Sequence, residues 1–125
     1  YRTSKIGGMG PAGALETSYL LHLRPDLCQM ERVVDETDFI STPDYYMDWI
    51  EGGSLVANPP WDDDTKTGAY GAGSHATAEK GRLWLEAAIE EKADHVEQIH
   101  EQHERREKRR NEGYGLWGKS TSHQK

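Results

Sequence analysis

The chain has 125 residues, of which 34% are apolar and 30% charged, with 22 acidic against 15 basic side chains and a net charge of −7. That length suits one ordinary domain or half of a larger one, and no apolar run approaches the ~20 residues that a membrane span requires. The single cysteine, Cys28, excludes a disulfide framework and a four-cysteine zinc module.

Tyr1–Lys5 leads into glycines instead of an apolar stretch, which predicts no secretory signal and a cytoplasmic location. Charge is unevenly distributed. Residues 1–104 carry 8 basic and 20 acidic side chains, whereas residues 105–125 carry 7 basic and 2 acidic ones. The basic run at 105–110 is short, is interrupted by Glu107, and follows an acidic body that repels phosphate. It argues against nucleic-acid binding and suits the last turn of a helix, where cations meet the negative end of the dipole.

In chain order, Tyr1–Gly13 holds four glycines and a proline and reads as a loop. From Ala14 the pattern turns helical. Leu15, Tyr19, Leu20 and Leu23 recur at helical spacing and Glu16 falls in the first turn, which predicts a helix over about 13–23. Arg24-Pro25 ends it, because the residue before a proline is pushed out of the α region. Glu31–Val34 reads as a short strand. Tyr45, Tyr46, Trp49 and Ile50 read as a loop or one helical turn that covers apolar surface. Asn58–Asp64 is a proline-fixed extended loop, and Thr67–Ser74 is turn-rich. Ser74 or Thr77 caps a long helix over about 76–110, some 50 Å at ~1.5 Å per residue, with Leu83, Ala87, Val96 and Ile99 on one face. A polar tail follows, with one apolar island, Tyr114–Trp117, that suits a docking anchor on a neighbouring subunit or a disordered tail. The expected organisation is a body over 1–104 and a basic helix end with a docking tail over 105–125. Few strands accompany the two helices, so the chain reads as the second half of an α/β domain.

Three features invite a chemical reading. Glu97 and His100 have the Glu-x-x-His spacing of di-iron bundles, but the rest of that set is absent and the surrounding glutamines and glutamates point to a solvated face. Asp62-Asp63-Asp64 lacks the alternation, the glycine and the closing glutamate of a calcium loop. The loop Gly7–Gly13 carries more. A glycine-rich turn entering a helix presents backbone N–H groups beside a positive dipole end, which suits an anion or a developing oxyanion. The same glycines equally serve a tight turn that permits close packing.

Gly10-Pro11-Ala12-Gly13-Ala14-Leu15-Glu16-Thr17-Ser18, followed by a leucine-rich helix closing in Arg24-Pro25-Asp26-Leu27, resembles the creatininase (creatinine amidohydrolase) family. A second block agrees: Thr67–Gly71, then Ala76-Thr77-Ala78-Glu79-Lys80-Gly81. The resemblance covers about residues 9–95. It implies a layered α/β hydrolase fold, usually hexameric, with a two-metal centre of zinc or manganese that activates a water to open a cyclic amide. One branch resembles hydrolases of dehydro-inososes, which open a cyclic diketone at a carbon–carbon bond in inositol catabolism.

Two departures from the family pattern shape the reading. The family's metal ligands lie in its first half, and no such set is present here. The chain thus reads as the carboxyl half of a member, its divalent metal held by an amino-terminal half or companion chain. Second, Pro11 occupies the place of the motif histidine, the proton donor to the leaving group. Without it a C–N bond loses its acid, a role worth typically ~10²–10⁴-fold, which favours a carbon–carbon bond whose leaving carbon is stabilised as an enolate. By the resemblance, Glu16 matches the glutamate that helps hold the substrate or the motif histidine, and Gly10, Pro11, Ala12 and Gly13 shape the substrate end of the site; His75, in the loop before the long helix, is a candidate substitute donor. His22 reads as structural. The rival reading is a non-catalytic subunit that stabilises an assembly through its long helix and tail. A free-standing metal-binding helix using His95, His100 and His103 is the most remote alternative.

Overall fold

The computed structural model describes residues 1–113, so the apolar island at 114–117 lies outside the described residues. The chain divides into two units, Tyr1–Glu86 and Ala87–Lys125. Its elements are a helix α1 (Ala14–Leu23), a strand β1 (Asp35–Glu36), a strand β2 (Gly71–Ala72) and a long helix α2 (Ala78–Asn111), joined by loops and single 3₁₀ turns. The mixed α/β content expected from the sequence is present, with a sheet of only two short strands.

The core of the first unit is built from small groups. Met9, Ala14, Tyr70, Ala72 and Ala76 are its buried apolar residues, and Tyr70 is the largest fully buried side chain. Phe39 stacks on the Tyr70 ring at 4.8 Å between centroids, and Trp61 meets it edge-on at 4.6 Å, offset and edge-to-face geometries that aromatic quadrupoles favour. The glycine-rich loop lies against this ring through backbone bonds. Tyr70 and Ala72 donate to the carbonyls of Pro11 (2.8 Å) and Gly8 (3.1 Å), and Trp49 donates to that of Met9 (2.7 Å). Gly71 has φ of +141°, and a Cβ there would come within 2.9 Å of the Gly13 Cα. Only glycine meets both demands.

α1 forms where the sequence predicts it but buries the opposite face. Its buried residues are Ala14 and Ser18, while Leu20 and Leu23 are exposed. The reason lies in α2. A Cβ on Gly81 would collide with the Ser18 carbonyl, so the two helices touch backbone to backbone, which only small residues permit. Thr77 caps α2, its Oγ1 accepting the Lys80 N–H at 3.1 Å, while the Thr77 N–H donates to Ser18 Oγ at 3.1 Å. In an ordinary capping box a glutamate at the third helical position takes that N–H. Here the position is lysine and the serine of the neighbouring helix substitutes. Ser18→Ala removes the partner of this part-buried N–H and is expected to cost about 1 kcal/mol, read as a lower urea midpoint at unchanged slope.

The expected strand at Glu31–Val34 is not formed. Met30–Arg32 is a 3₁₀ turn, and the strand is Asp35–Glu36, antiparallel to β2 with Asp35 opposite Ala72 and Glu36 opposite Gly71. Two adjacent acids carry no apolar alternation because side-chain hydrogen bonds fasten this strand. Asp35 accepts from Ser74 N–H (2.9 Å) and Oγ (2.5 Å). Glu36 accepts from Thr65 Oγ1 (2.6 Å), Lys66 N–H (2.7 Å), and the N–H (3.0 Å) and Oγ1 (2.5 Å) of Thr67. The Thr65 and Thr67 hydroxyls, then the Lys66 N–H, hold the Glu36 carboxyl at about 2.

The turn expected around Tyr45–Ile50 is non-helical; Trp49 and Ile50 are exposed, and the residue that matters is Asp48 between them. In the second unit α2 is solvated on all sides, its turns tied by side-chain pairs such as Gln98 to Asp94, Arg105 to Glu101 and Arg106 to Gln102, as a polar helix requires.

Candidate functional site

The loop before α1 is held in a strained shape by its own neighbours. Ala12 has φ of +55°, a left-handed conformation that costs a non-glycine residue about 1–3 kcal/mol. Two side chains from the first turn of α1 clamp it: the Ala12 N–H donates to Glu16 Oε2 at 2.7 Å, and Thr17 Oγ1 donates to the Ala12 carbonyl at 3.3 Å. Strain of this kind persists only where the surroundings over-determine it, and it concentrates at functional sites. Glu16 Oε1 makes no hydrogen bond among the described residues.

Ala12, Glu16 and Thr17 form one side of a cleft of about 740 Å³. The segment after α1 supplies another wall through Cys28, Gln29 and Arg32, and Thr67–Ala69 the third. The cleft volume lies within the range of small-molecule sites. Much of its wall is aliphatic, from Leu20 and Leu27 to Val33 and Val34. Its polar groups gather near Glu16 and Thr67 and at Arg32, whose Nη1 donates to Gln29 Oε1 at 2.9 Å.

The structure separates the residues that the sequence grouped. Glu16 and Ala12 line the cleft, whereas Gly10, Pro11, Gly13 and His75 are not among its lining residues. His75 is exposed at the end of the turn Gly73–His75, with Nδ1 3.2 Å from Thr3 Oγ1 and its carbonyl accepting from Lys80 Nζ at 2.5 Å. It does not meet Glu16 in one site.

Most N–H groups of the glycine-rich loop have partners within the chain. Gly7 and Met9 donate to Asp48, Gly8 to the Lys5 carbonyl, Ala12 to Glu16, Gly13 to the Gly10 carbonyl and Ala14 to the Gly8 carbonyl. With these N–H groups bonded within the chain, the glycines of the loop serve close packing.

Asp48 belongs to no motif in the sequence. Its side chain is fully buried and accepts from Arg2 Nη1 and Nη2, at 2.9 and 2.7 Å, and from the N–H groups of Gly7 (2.8 Å), Ile50 (2.9 Å) and Glu51 (3.0 Å). Burial pushes its carboxyl up, but the Arg2 bonds and these N–H groups outweigh it and hold the carboxyl at about 2. A buried acid 46 positions from its arginine leaves no local trace in sequence. The hydrogen bonds that hold Glu16 and Asp48 set the two flanks of the glycine-rich loop.

No group of three or more His, Cys, Asp or Glu side chains that could hold a metal ion occurs among the described residues. The residues present therefore do not fit a two-metal centre. Asp64 instead accepts the Ile40 N–H at 2.8 Å, and His95, Glu97, His100 and His103 are exposed along α2. Among the described residues no helix is long and apolar enough to cross a membrane.

Against known proteins, the family model described as creatininase, creatinine amidohydrolase, matches residues 2–96. No curated protein and no solved structure matches the chain.

Proposed function

The chain belongs to the creatininase (creatinine amidohydrolase) family, and from that premise we propose that it is part of a hydrolase opening a small polar cyclic substrate. The family's members are hydrolases and generally metal-dependent. Since the described residues do not offer a ligand set, the proposal assigns zinc or manganese to a companion segment or chain. This chain contributes the substrate side of the site.

The observation that carries the reading is the left-handed Ala12, clamped by Glu16 and Thr17 on the rim of a cleft. Glu16 Oε2 is engaged with the backbone, so Oε1 is the oxygen that accepts a hydrogen bond from a substrate hydroxyl or hydrated carbonyl. Thr17 and Glu16 together keep the Ala12 peptide in place as the substrate enters, which limits the reorganisation that binding requires. Pro11, whose nitrogen carries no proton, stands where the family motif has histidine. A leaving amine must be protonated, whereas a leaving carbon delocalised as an enolate needs less help. The bond opened is therefore carbon–carbon in a cyclic ketone of the dehydro-inosose kind, ahead of a cyclic amide.

The test is Glu16→Gln in the assembly isolated with its metals, assayed on cyclic ketones and lactams. Glutamine can still accept the Ala12 N–H, so melting temperature and metal content should hold while turnover falls about 10²-fold, the scale of losing one positioned polar group. Unchanged turnover would remove Glu16 from the site. The second reading, a non-catalytic subunit, is supported by Pro11 and by the absence of a ligand set among the described residues. An intact, metal-loaded assembly that turns over none of these rings would favour it.

A further inference from the structure

The first unit contains four arginines: Arg2, Arg24, Arg32 and Arg82. Three of them hold carboxylates. Arg2 pairs with Asp48, Arg24 with Asp26, and Arg82 with Glu79 and Glu86. Arg32 has no ion pair among the described residues, although residues 1–104 carry 20 acidic side chains. Its Nη1 donates to the neutral Gln29 Oε1 at 2.9 Å, while Nε and Nη2 make no hydrogen bond among the described residues. This guanidinium lines the cleft on a different wall from Glu16, next to the aliphatic side chains of Val33 and Val34. A guanidinium tied to its turn at one nitrogen, with two more N–H edges open, matches a carboxylate in shape and charge.

The reaction read for this cleft creates such a group. Water adds its oxygen to the ring carbonyl carbon, and the ring bond breaks with its electron pair on the leaving carbon or nitrogen. That atom takes up a proton, and the carbonyl carbon leaves as a carboxylic acid, which ionises at neutral pH. Whichever bond opens, a neutral ring becomes an open chain with one carboxylate. We propose that Arg32 binds the carboxylate of the ring-opened product, while Glu16 Oε1 accepts from a hydroxyl of the same chain. Glu16 is itself an anion, so it turns the new carboxylate away from its own wall and toward Arg32. This assignment rests on the cleft being the substrate site.

The experiment is an NMR titration of the full chain with three probes: gluconate, its neutral counterpart gluconamide, and quinate, a hydroxylated ring that carries a carboxylate. The parent is expected to bind gluconate about 5-fold more tightly than gluconamide at low salt, with the gap closing at high salt. Arg32→Gln should remove that gap while gluconamide binding and melting temperature stay unchanged. Arg32→Lys, which keeps the charge but not the fork, should fall between the two. Glu16→Gln should weaken gluconamide, which reads the hydroxyl contact alone. Equal gluconate affinity in the parent and Arg32→Gln overturns the proposal, and a Glu16→Gln effect on gluconamide then leaves the substrate reading of the cleft standing without it. Quinate held more tightly than gluconate through Arg32 places the carboxylate on a ring substrate and overturns the product assignment. A parent that binds none of the three probes overturns the proposal together with that reading of the cleft.

Discussion

Asp48→Ala is expected to lower the stability of the chain by about 3–5 kcal/mol, the cost of breaking a buried ion pair from one side. The substitution leaves Arg2, only 19% exposed, without its counter-charge and strips the acceptor from the N–H groups of Gly7, Ile50 and Glu51. Thermal unfolding followed by circular dichroism should show a fall of more than about 10 °C. A change of only a degree or two would mean that the pair contributes little and that water replaces it. Because the folded carboxyl titrates at about 2, below the ~3.9 of an unfolded aspartate, its contribution is complete above roughly pH 4–5. It is lost as pH falls toward 2. The parent should therefore destabilise steeply over that window, and Asp48→Asn, which keeps the volume but not the charge, should flatten the slope.

Gly81→Ala is the second large effect, and here two principles oppose each other. Alanine in a helix interior is favoured over glycine by roughly 1 kcal/mol. Yet the added methyl would run into the Ser18 carbonyl, and the His22 Cβ lies 3.0 Å from the same point. The first obstacle is backbone and cannot rotate away, so α1 and α2 must separate and the Thr77–Ser18 bond goes with them. Overpacking of this kind costs typically 1–3 kcal/mol and more against rigid neighbours. A net loss of about 2 kcal/mol is expected for alanine, and a greater one for valine, both measured as urea midpoints. A stabilised Gly81→Ala variant would show that the helices part without penalty.

These two sites bear on how the family blocks are read. In Glu16-Thr17-Ser18 the glutamate reaches the cleft while the serine accepts the N–H of Thr77, the cap of the next helix. In Ala76–Gly81 the threonine and glycine make that helix crossing. The first block thus mixes residues that line the cleft with a residue that holds the scaffold, and a motif alone does not separate them.

Local signals were legible. Arg24-Pro25 ended α1, Thr77 capped α2, and the span of both helices followed from periodicity and punctuation. The family, too, was readable from its two blocks, and the match over residues 2–96 agrees. Pairings between distant segments were not. β1 is an Asp–Glu dipeptide whose strand character comes from threonines and a serine some 30 to 40 positions away. The leucines of α1 suggested the buried face, but the close crossing at Gly81 brings in Ser18 and His22, and Leu20 and Leu23 are exposed.

By itself, then, the sequence determined what depends on neighbours along the chain: helix limits, caps, turns, and the identity of the motif residues. It also shows proline at position 11, where the resembled motif has histidine. Only the tertiary structure decided which helix face is covered, that Glu16 lines the cleft and His75 does not, and that N–H groups of the glycine loop bond to their own chain and to Asp48. The physical reason is the same in each case. A backbone N–H or a carboxylate takes whichever partner folding brings within about 3 Å, and for these groups that partner lies outside the reach of any local pattern.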